Sequence, residues 1–458
     1  MAQRPPIVLF LQGPPSPLWT ELADSLAAAG AEVRRVHFCA ADRVFWGLRP
    51  CVSYRGRLSG WRRWIRDFMR REGVTDVLYY ADRHPYHRLA LKAARGLGVS
   101  AHAIENGYLR PDWITLEREG GGGYSHFPDA PEALDPAAPA FDAKLRYPHS
   151  FPVEAAYDVA FNLIDVLGRP FYPFYHSDRY YAPIPDYLRW LVKLARGGRA
   201  ARASARTQSA LLENPAPFWL MAMQLQSDYQ LRASAAWPHQ RDAIRAVLRS
   251  FADHAPAHHR LAFKLHPLES GVERFPAVIA REAEAAGLAR RVAILDGGDL
   301  GRLVKGAEGV IAINSTVGVH ALRAGRPVKP LGAAVYAMPG LTHQGPLDRF
   351  WTEAAPPDPD RLSAFLRTLA RDIQVKGSFY NPAGRAAAVA EITRRLVAGR
   401  IGPSTWRPCA APPRLSALIA QRRRARAGLD PLPLNPASGL SAEARGAEIA
   451  EAETETGG

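Results

Sequence analysis

Over residues 6–105, short apolar runs alternate with stretches in which apolar residues recur every three or four positions. Ile7–Leu11 predicts a strand, followed by a helical pattern through Leu18, Leu22, Leu26 and Ala29 that stops at Gly30. Glu32–Phe38 predicts the next strand. Trp61–Arg71 is helical, with Trp61, Trp64, Ile65 and Phe68 on one face. Asp76–Tyr80, Tyr86–Gly96 and Val99–Ile104 continue as strand, helix and strand. A β-α-β-α order of this kind specifies a parallel sheet covered by helices.

Residues 111–210 are less regular, with a glycine run (Gly120–Gly123), a Pro/Ala-rich stretch from Pro128 to Pro139 and an aromatic segment, Phe171–Tyr181. An amphipathic run from Tyr187 to Arg206 leads into a second alternation. Its strands are expected at Phe218–Leu225, Leu261–Leu265, Val292–Leu295, Val310–Ile313 and Val328–Leu331, with helices near 238–252, 273–287, 299–306 and 316–324. The expectation is an α/β protein of two Rossmann-like domains, 1–205 and 206–400, facing across a cleft at the carboxyl ends of their strands. After residue 400, the arginine cluster Gln421–Arg426, Pro/Gly/Ala-rich sequence and an acidic end read as a disordered charged tail, 401–458.

Composition narrows the function classes. The 458 residues include 59 Lys+Arg against 44 Asp+Glu, a net charge of +15, and 47% are apolar or aromatic, which excludes a disordered or fibrous chain. The excess charge fits a nucleic-acid binder, an anionic membrane surface or anionic substrates, and an arginine-rich composition explains part of it. No nucleic-acid-binding module is present, and the basic residues are not interleaved with aromatics. Three cysteines, Cys39, Cys51 and Cys409, are too few for a disulfide framework or a structural zinc site. The apolar run Ile7–Leu11 is too short for a signal peptide, and no apolar stretch reaches membrane-spanning length. A cytoplasmic protein is expected, with contact to a membrane surface left open.

The residues able to do chemistry cluster at predicted strand ends. Lys264 and His266 close the strand LAFKLHP, where they can offset charge on a phosphate. Asn314-Ser315-Thr316 follows the strand GVIAI and precedes a helix, a setting for anion binding by free amides. Gln224 and Asp228 end the strand FWLMAMQL, and Glu105 ends VSAHAI in the first half, followed by Arg110. Each motif has a plain structural reading as a cap or turn; together, two carboxylates across a cleft make an acid/base or nucleophile pair. Asp82-Arg83-His84 also ends a strand, with Arg83 as an anion contact. His84 and His87 lack further good ligands, so no metal is expected. Neither GxGxxG nor GxxxxGK[ST] occurs.

In this order, FLQGPPSPLWTELADSLAAAGAEVRRVHF, YRGRLSGW, ADRHPYHRLALKAA, IENGYLRPDWITLEREG, QLQSDYQL, FKLHPLE, NSTVGVHALRAGRPVKPLG and LDRFW resemble the bacterial capsule polysaccharide biosynthesis proteins of the KpsS/LipB type, over roughly residues 6–400. That resemblance implies a GT-B-like retaining β-Kdo glycosyltransferase. Its donor would be CMP-Kdo and its acceptor lysophosphatidylglycerol at the inner face of the cytoplasmic membrane, where it starts a poly-Kdo linker. No cofactor or essential metal is implied. A KpsC-type Kdo transferase and the capsule export machinery would be partners. One copy of each motif matches the initiating type. The sequence departs from the family pattern at Glu105-Asn106, where Glu-Glu is common, and at Cys39-Ala40-Ala41, where Asn-Gly-Gly is usual.

By the same resemblance, Asp228 is the nucleophile and Glu105 the general acid/base. His266 and Lys264 face the departing phosphate and Ser315 and Thr316 hold it, while Arg110 and Arg83 take the sugar carboxylate or acceptor phosphate. The competing readings are a sialyltransferase-like enzyme for another CMP-nonulosonate and a non-catalytic adaptor in capsule assembly.

Overall fold

The computed structural model describes residues 5–427, apart from 178, 404, 405, 408 and 409. Two β-sheets organise the chain. The first contains β1 (Ile7–Phe10), β2 (Glu32–His37), β3 (Val52–Ser53), β4 (Asp76–Tyr80), β5 (Ser100–Asn106) and β6 (Trp113–Arg118). The second is built from β7 (Phe218–Ala222), β8 (Arg260–Lys264), β9 (Val292–Leu295), β10 (Gly309–Ala312) and β11 (Val328–Pro330); β12 (Gln374–Lys376) returns to the first. The second sheet runs β11-β10-β7-β8-β9, all parallel. The first runs β12-β6-β5-β4-β1-β2-β3, parallel from β3 through β5, with β6 and β12 each antiparallel to its neighbour. The first five strands of each half thus share the 3-2-1-4-5 order of a Rossmann fold. The α/β, two-domain expectation holds.

Side-chain alternation explains the near-continuous apolar strands. In β1, Val8 and Phe10 join one core, while Leu9 joins another on the opposite face. In β7, Phe218 and Leu220 likewise separate from Trp219 and Met221. Helices cover both faces, so both sets of side chains are buried.

The domain boundaries differ from the expected ones in two places. After the second sheet, the chain returns to the first half. Val375 on β12 is fully buried, and the helix Pro382–Val397 packs on Leu18–Ala28 through Ile392, Val389 and Leu396. Arg385 Nε donates to Glu21 at 3.0 Å, and Thr393 Oγ1 to Ser25 Oγ at 2.9 Å, across that contact. Second, the expected tail is ordered over Leu415–Arg426, a helix with Leu418 and Ile419 buried. Arg414, just before it, donates to the carbonyls of Phe127 (2.6 Å), Pro128 (2.5 Å) and Val335 (2.7 Å). Arg422 donates to the carbonyls of Arg232 (2.9 Å) and Ala235 (3.1 Å). The arginine cluster therefore works partly as hydrogen-bond donors to main-chain carbonyls, not only as a solvated charge run. The remainder of the expected tail, 428–458, lies outside the described residues.

Helices absent from the sequence reading include Ala40–Trp46, Phe151–Leu167, Leu347–Glu353 and Pro359–Ile373. At Cys39, the thiol caps Ala40–Trp46 by accepting from the Asp42 N–H at 3.5 Å, and Ala40 occupies the space beside Gly168 where a Cβ would collide.

Candidate functional site

The switch point of the second sheet lies between β7 and β10, where parallel sheets open a crevice at their carboxyl ends. Gln224 and Asn314, one beyond each strand, bond reciprocally. Gln224 Nε2 donates to Asn314 Oδ1 at 2.7 Å, and the Asn314 N–H to Gln224 Oε1 at 3.1 Å. Asn314 Nδ2 then donates to the Gln230 carbonyl at 2.8 Å, fixing the short helix Tyr229–Ser234. Gln240 extends the network: its side chain accepts from the Gln224 N–H at 3.0 Å and donates to the Gln224 carbonyl at 2.8 Å. With these bonds made, Gln224 and Asn314 act as positioning residues.

Asp228 is the N-cap of that short helix and accepts from the Gln230 N–H at 2.8 Å. Burial raises its pKa, against the backbone bonds and the charge of Arg110. Glu105, at the end of β5, is raised well above the carboxylate range by burial, then by the neighbouring charges of Asp82 and Asp228. One amide joins the halves: Gln230 Nε2 lies 3.2 Å from Asp82 Oδ1 and 3.2 and 3.0 Å from the Glu105 oxygens. Arg110 acts electrostatically on Asp228 and on His266.

His266 accepts from the Leu268 N–H at 3.1 Å through Nδ1, which leaves the neutral ring's proton on Nε2. Burial, with Arg110, Lys264 and Lys193 nearby, lowers its pKa to about 4, so it is a neutral donor at physiological pH. Ser315 Oγ accepts from the Val317 N–H at 3.2 Å, and the Thr316 hydroxyl makes no cap bond. The loop lies close to Tyr336, whose hydroxyl donates to the Ser315 carbonyl at 2.7 Å. A Cβ on Gly318 would stand 2.2 Å from that ring, so only glycine fits.

Glu105, Asp228, Arg110 and His266 are brought together. Lys264 and Arg83 are differently placed. Lys264 is 6% exposed and donates to the Leu265 carbonyl at 3.0 Å, so its ammonium already has a partner. Arg83 pairs with Asp82 at 2.8 Å and stacks on Tyr124 at 3.7 Å, supporting the carboxylate cluster from behind. His84 and His87 are buried against Phe38 and Tyr86. Among the described residues no group of three or more His, Cys, Asp or Glu is placed to hold a metal ion.

Sequence reasoning missed Asp82 and Gln230 as members of this cluster. Their signal was the glycine run. A Cβ on Gly120 would meet Asp82 Oδ2 at 2.4 Å, and one on Gly122 (φ +58°) would meet Gln230 Oε1 at 2.2 Å. Gly123 N–H donates to Ser234 Oγ at 3.0 Å, so the run is the seam where the two halves touch. Glu117 also lies beneath it, 1% exposed, accepting from Tyr108 OH at 3.1 Å and from Ser125 Oγ. Burial raises its pKa to about 8. A raised folded-state pKa means the native state holds the extra proton, so stability falls as pH rises from the ordinary 4.5 toward 8. Chemical unfolding across that window is expected to show this slope, and Glu117→Gln to flatten it.

Beside Asp228, a cavity of about 340 Å³ is lined by Tyr80, Ser227 and Tyr229, by Asp158, Asn162 and Asp165 of Phe151–Leu167, and by Tyr180, Tyr181 and Asp186. It is tyrosine-rich and adjoins the Asp228 turn through Ser227 and Tyr229.

Comparison with known proteins gives the family. Residues 75–380 match the family model described as "Capsule polysaccharide biosynthesis protein", a span that contains every residue of the cluster above. The chain belongs to this family. It is 28% identical over 375 residues to the capsule polysaccharide export protein KpsS of Escherichia coli, covering 81% of this chain and 96% of that one. To the capsule polysaccharide modification protein LipB of Neisseria meningitidis serogroup B it is 28% identical over 400 residues, covering 82% and 91%. Among solved structures it is similar to Thermosulfurimonas dismutans KpsC, beta Kdo 2,7 transferase, at 15% identity and a TM-score of 0.41, covering 85% and 98%. The capsule-synthesis protein thus matches its curated relatives along most of their length.

Proposed function

We propose that this protein is a retaining β-Kdo glycosyltransferase that moves Kdo from CMP-Kdo to a lysophosphatidylglycerol acceptor, starting the linker of a capsular polysaccharide. The observation that carries the reading is the meeting of Asp228 from one half with Glu105 from the other, bridged by Gln230, with the charge of Arg110 felt by both Asp228 and the neutral donor His266.

Asp228 attacks the anomeric carbon as the bond to CMP breaks, and the departing phosphate takes the electron pair. His266 Nε2–H and the Ser315-Thr316 loop receive that charge. Glu105 then removes the acceptor hydroxyl proton, and the acceptor oxygen displaces Asp228 from the opposite side. Two inversions retain the configuration. An elevated pKa makes Glu105 the stronger base once ionised. Arg110, whose charge is felt by both Asp228 and His266, suits the sugar carboxylate. These groups need no divalent metal. The protein would work peripherally at the inner face of the cytoplasmic membrane and hand its product to a KpsC-type enzyme.

Incubation with CMP-Kdo and a lysophosphatidylglycerol analogue is expected to add one Kdo mass to the acceptor. Competition with CMP-sialate separates Kdo from other nonulosonates. Failure to bind CMP would favour the adaptor. His266→Ala is expected to lower kcat by about 10²-fold, the usual weight of one donor to a developing charge.

A further inference from the structure

The helix Phe151–Leu167 packs Tyr157 and Phe161 on Phe45 but turns a second apolar face outward. Its buried positions are Asn162 and Asp165, 2% and 6% exposed, while Val159, Leu163 and Leu167 face solvent. Leu163 is 51% exposed and Leu167 77%. An aqueous helix buries the opposite set, so this one has its apolar face turned to whatever covers it. Its polar face is already used: Asn162 Nδ2 donates to Asp158 at 2.9 Å and to Tyr187 OH at 2.8 Å.

Tyr187 belongs to Pro183–Leu212, whose first half exposes Leu188, Leu191 and Val192, each at least half exposed. Phe151 and Trp190 lie 6.3 Å apart and join the two apolar surfaces, and exposed Phe171 and Phe174 sit on the connection between the helices. At 100° per residue, Arg199, Arg202 and Arg206 fall on the same face of Pro183–Leu212 as Leu188, Leu191 and Val192. All three arginines are exposed. One helix face is therefore apolar, then basic, along its length. Arg57 stacks on Phe174 at 4.5 Å and adds an exposed cation at the edge.

We propose that the paired faces of Phe151–Leu167 and Pro183–Leu212 dock the protein on an anionic lipid bilayer. Apolar residues enter the interface while the arginines meet the headgroups. Neither helix is long and apolar enough to cross a membrane. Charge favours a lipid surface over a second copy of the chain, because anionic headgroups supply partners for Arg199, Arg202 and Arg206, whereas a second copy brings only the same apolar and basic face. The cavity beside the Asp228 turn is walled by these same helices through Asp158, Asn162, Asp165 and Asp186, and by Ser227 and Tyr229 on either side of Asp228, so the docking face and the site share one wall. The docking surface deepens the transferase reading and rests on it only for the acceptor being a lipid.

The test is co-sedimentation of the full chain with vesicles of phosphatidylcholine, with and without phosphatidylglycerol, beside a transfer assay on a water-soluble acceptor. Wild type is expected to prefer the phosphatidylglycerol vesicles. L163E/L191E is expected to lower partitioning about 100-fold, with the thermal transition and transfer to the soluble acceptor unchanged. R199E/R202E is expected to remove the phosphatidylglycerol preference. Binding by L163E/L191E equal to wild type, absence of wild-type binding, or a wild-type dimer that L163E/L191E dissolves would each overturn the proposal. If the vesicle results hold but no acceptor is glycosylated, the surface stands and the transferase reading falls.

Discussion

Asp228→Asn is expected to abolish sugar transfer, with a loss of at least about 10³-fold in kcat, while CMP binding stays within a few-fold of wild type. The geometry explains the split. Asparagine keeps a side-chain oxygen that can accept from the Gln230 N–H, so the cap on Tyr229–Ser234 survives, and Gln230 still reaches Glu105 and Asp82. What disappears is the charge and nucleophilicity of one carboxylate. Isothermal titration with CMP and single-turnover transfer with CMP-Kdo measure the two halves of the expectation. Full activity in Asp228→Asn would move the nucleophile elsewhere in the cluster, with Asp82 and Glu105 as the remaining carboxylates. Glu105→Gln should behave differently. It removes a proton acceptor, so its deficit should be greatest with an alcohol acceptor that depends on base assistance.

The largest effect on stability is expected at Arg414. Its guanidinium is buried and donates to three carbonyls, from Phe127, Pro128 and Val335. Arg414→Met leaves those carbonyls without their charged donor. The expected cost is about 3 kcal/mol, at the level of a lost buried, charge-assisted network. Burial lowers the Arg414 pKa, the desolvation cost that the three bonds offset. The loss should be local before it is global. Hydrogen exchange should accelerate first over Leu415–Arg426 and then over Tyr229–Ser234, because Arg422 holds the carbonyl end of the helix whose amino end presents Asp228. Unchanged exchange in Tyr229–Ser234 would show that the C-terminal helix does not support the site.

Four strands of the first half, β1, β2, β4 and β5, and all five of the second were legible because burial on two faces gives unbroken apolar runs such as IVLF and FWLMA, whereas the two-residue β3 and the antiparallel β6 were not read. What escaped detection had weak local signals. β12 is three residues long and is defined by pairing with β6, more than 250 residues earlier, which no periodicity reveals. Phe151–Leu167 was missed because apolar residues run almost all round it, which blurs the 3.6-residue period. At the site, Glu105, Asp228 and His266 were visible as polar residues ending apolar strands. Lys264 and Arg83 looked equivalent in sequence, but each is committed to a neighbour, Leu265 and Asp82. Gln230 was invisible for the opposite reason. A glutamine inside a short helix carries no expectation until the glycine run shows what approaches it.

The return of β12 and Pro382–Val397 to the first sheet has a consequence for biosynthesis. On the ribosome, β1 to β6 emerge early, yet the edge partner of β6 and the helix that covers Leu18–Ala28 are made only after the whole second sheet. At ordinary elongation rates of about 5–20 residues per second, the first half waits tens of seconds with Ile114, Leu116 and one face of Leu18–Ala28 uncovered. The second sheet, whose five strands are contiguous in sequence, can close first. The nascent chain therefore completes its later half before its earlier one, and a chaperone that shields the β6 edge has its longest opportunity during that interval.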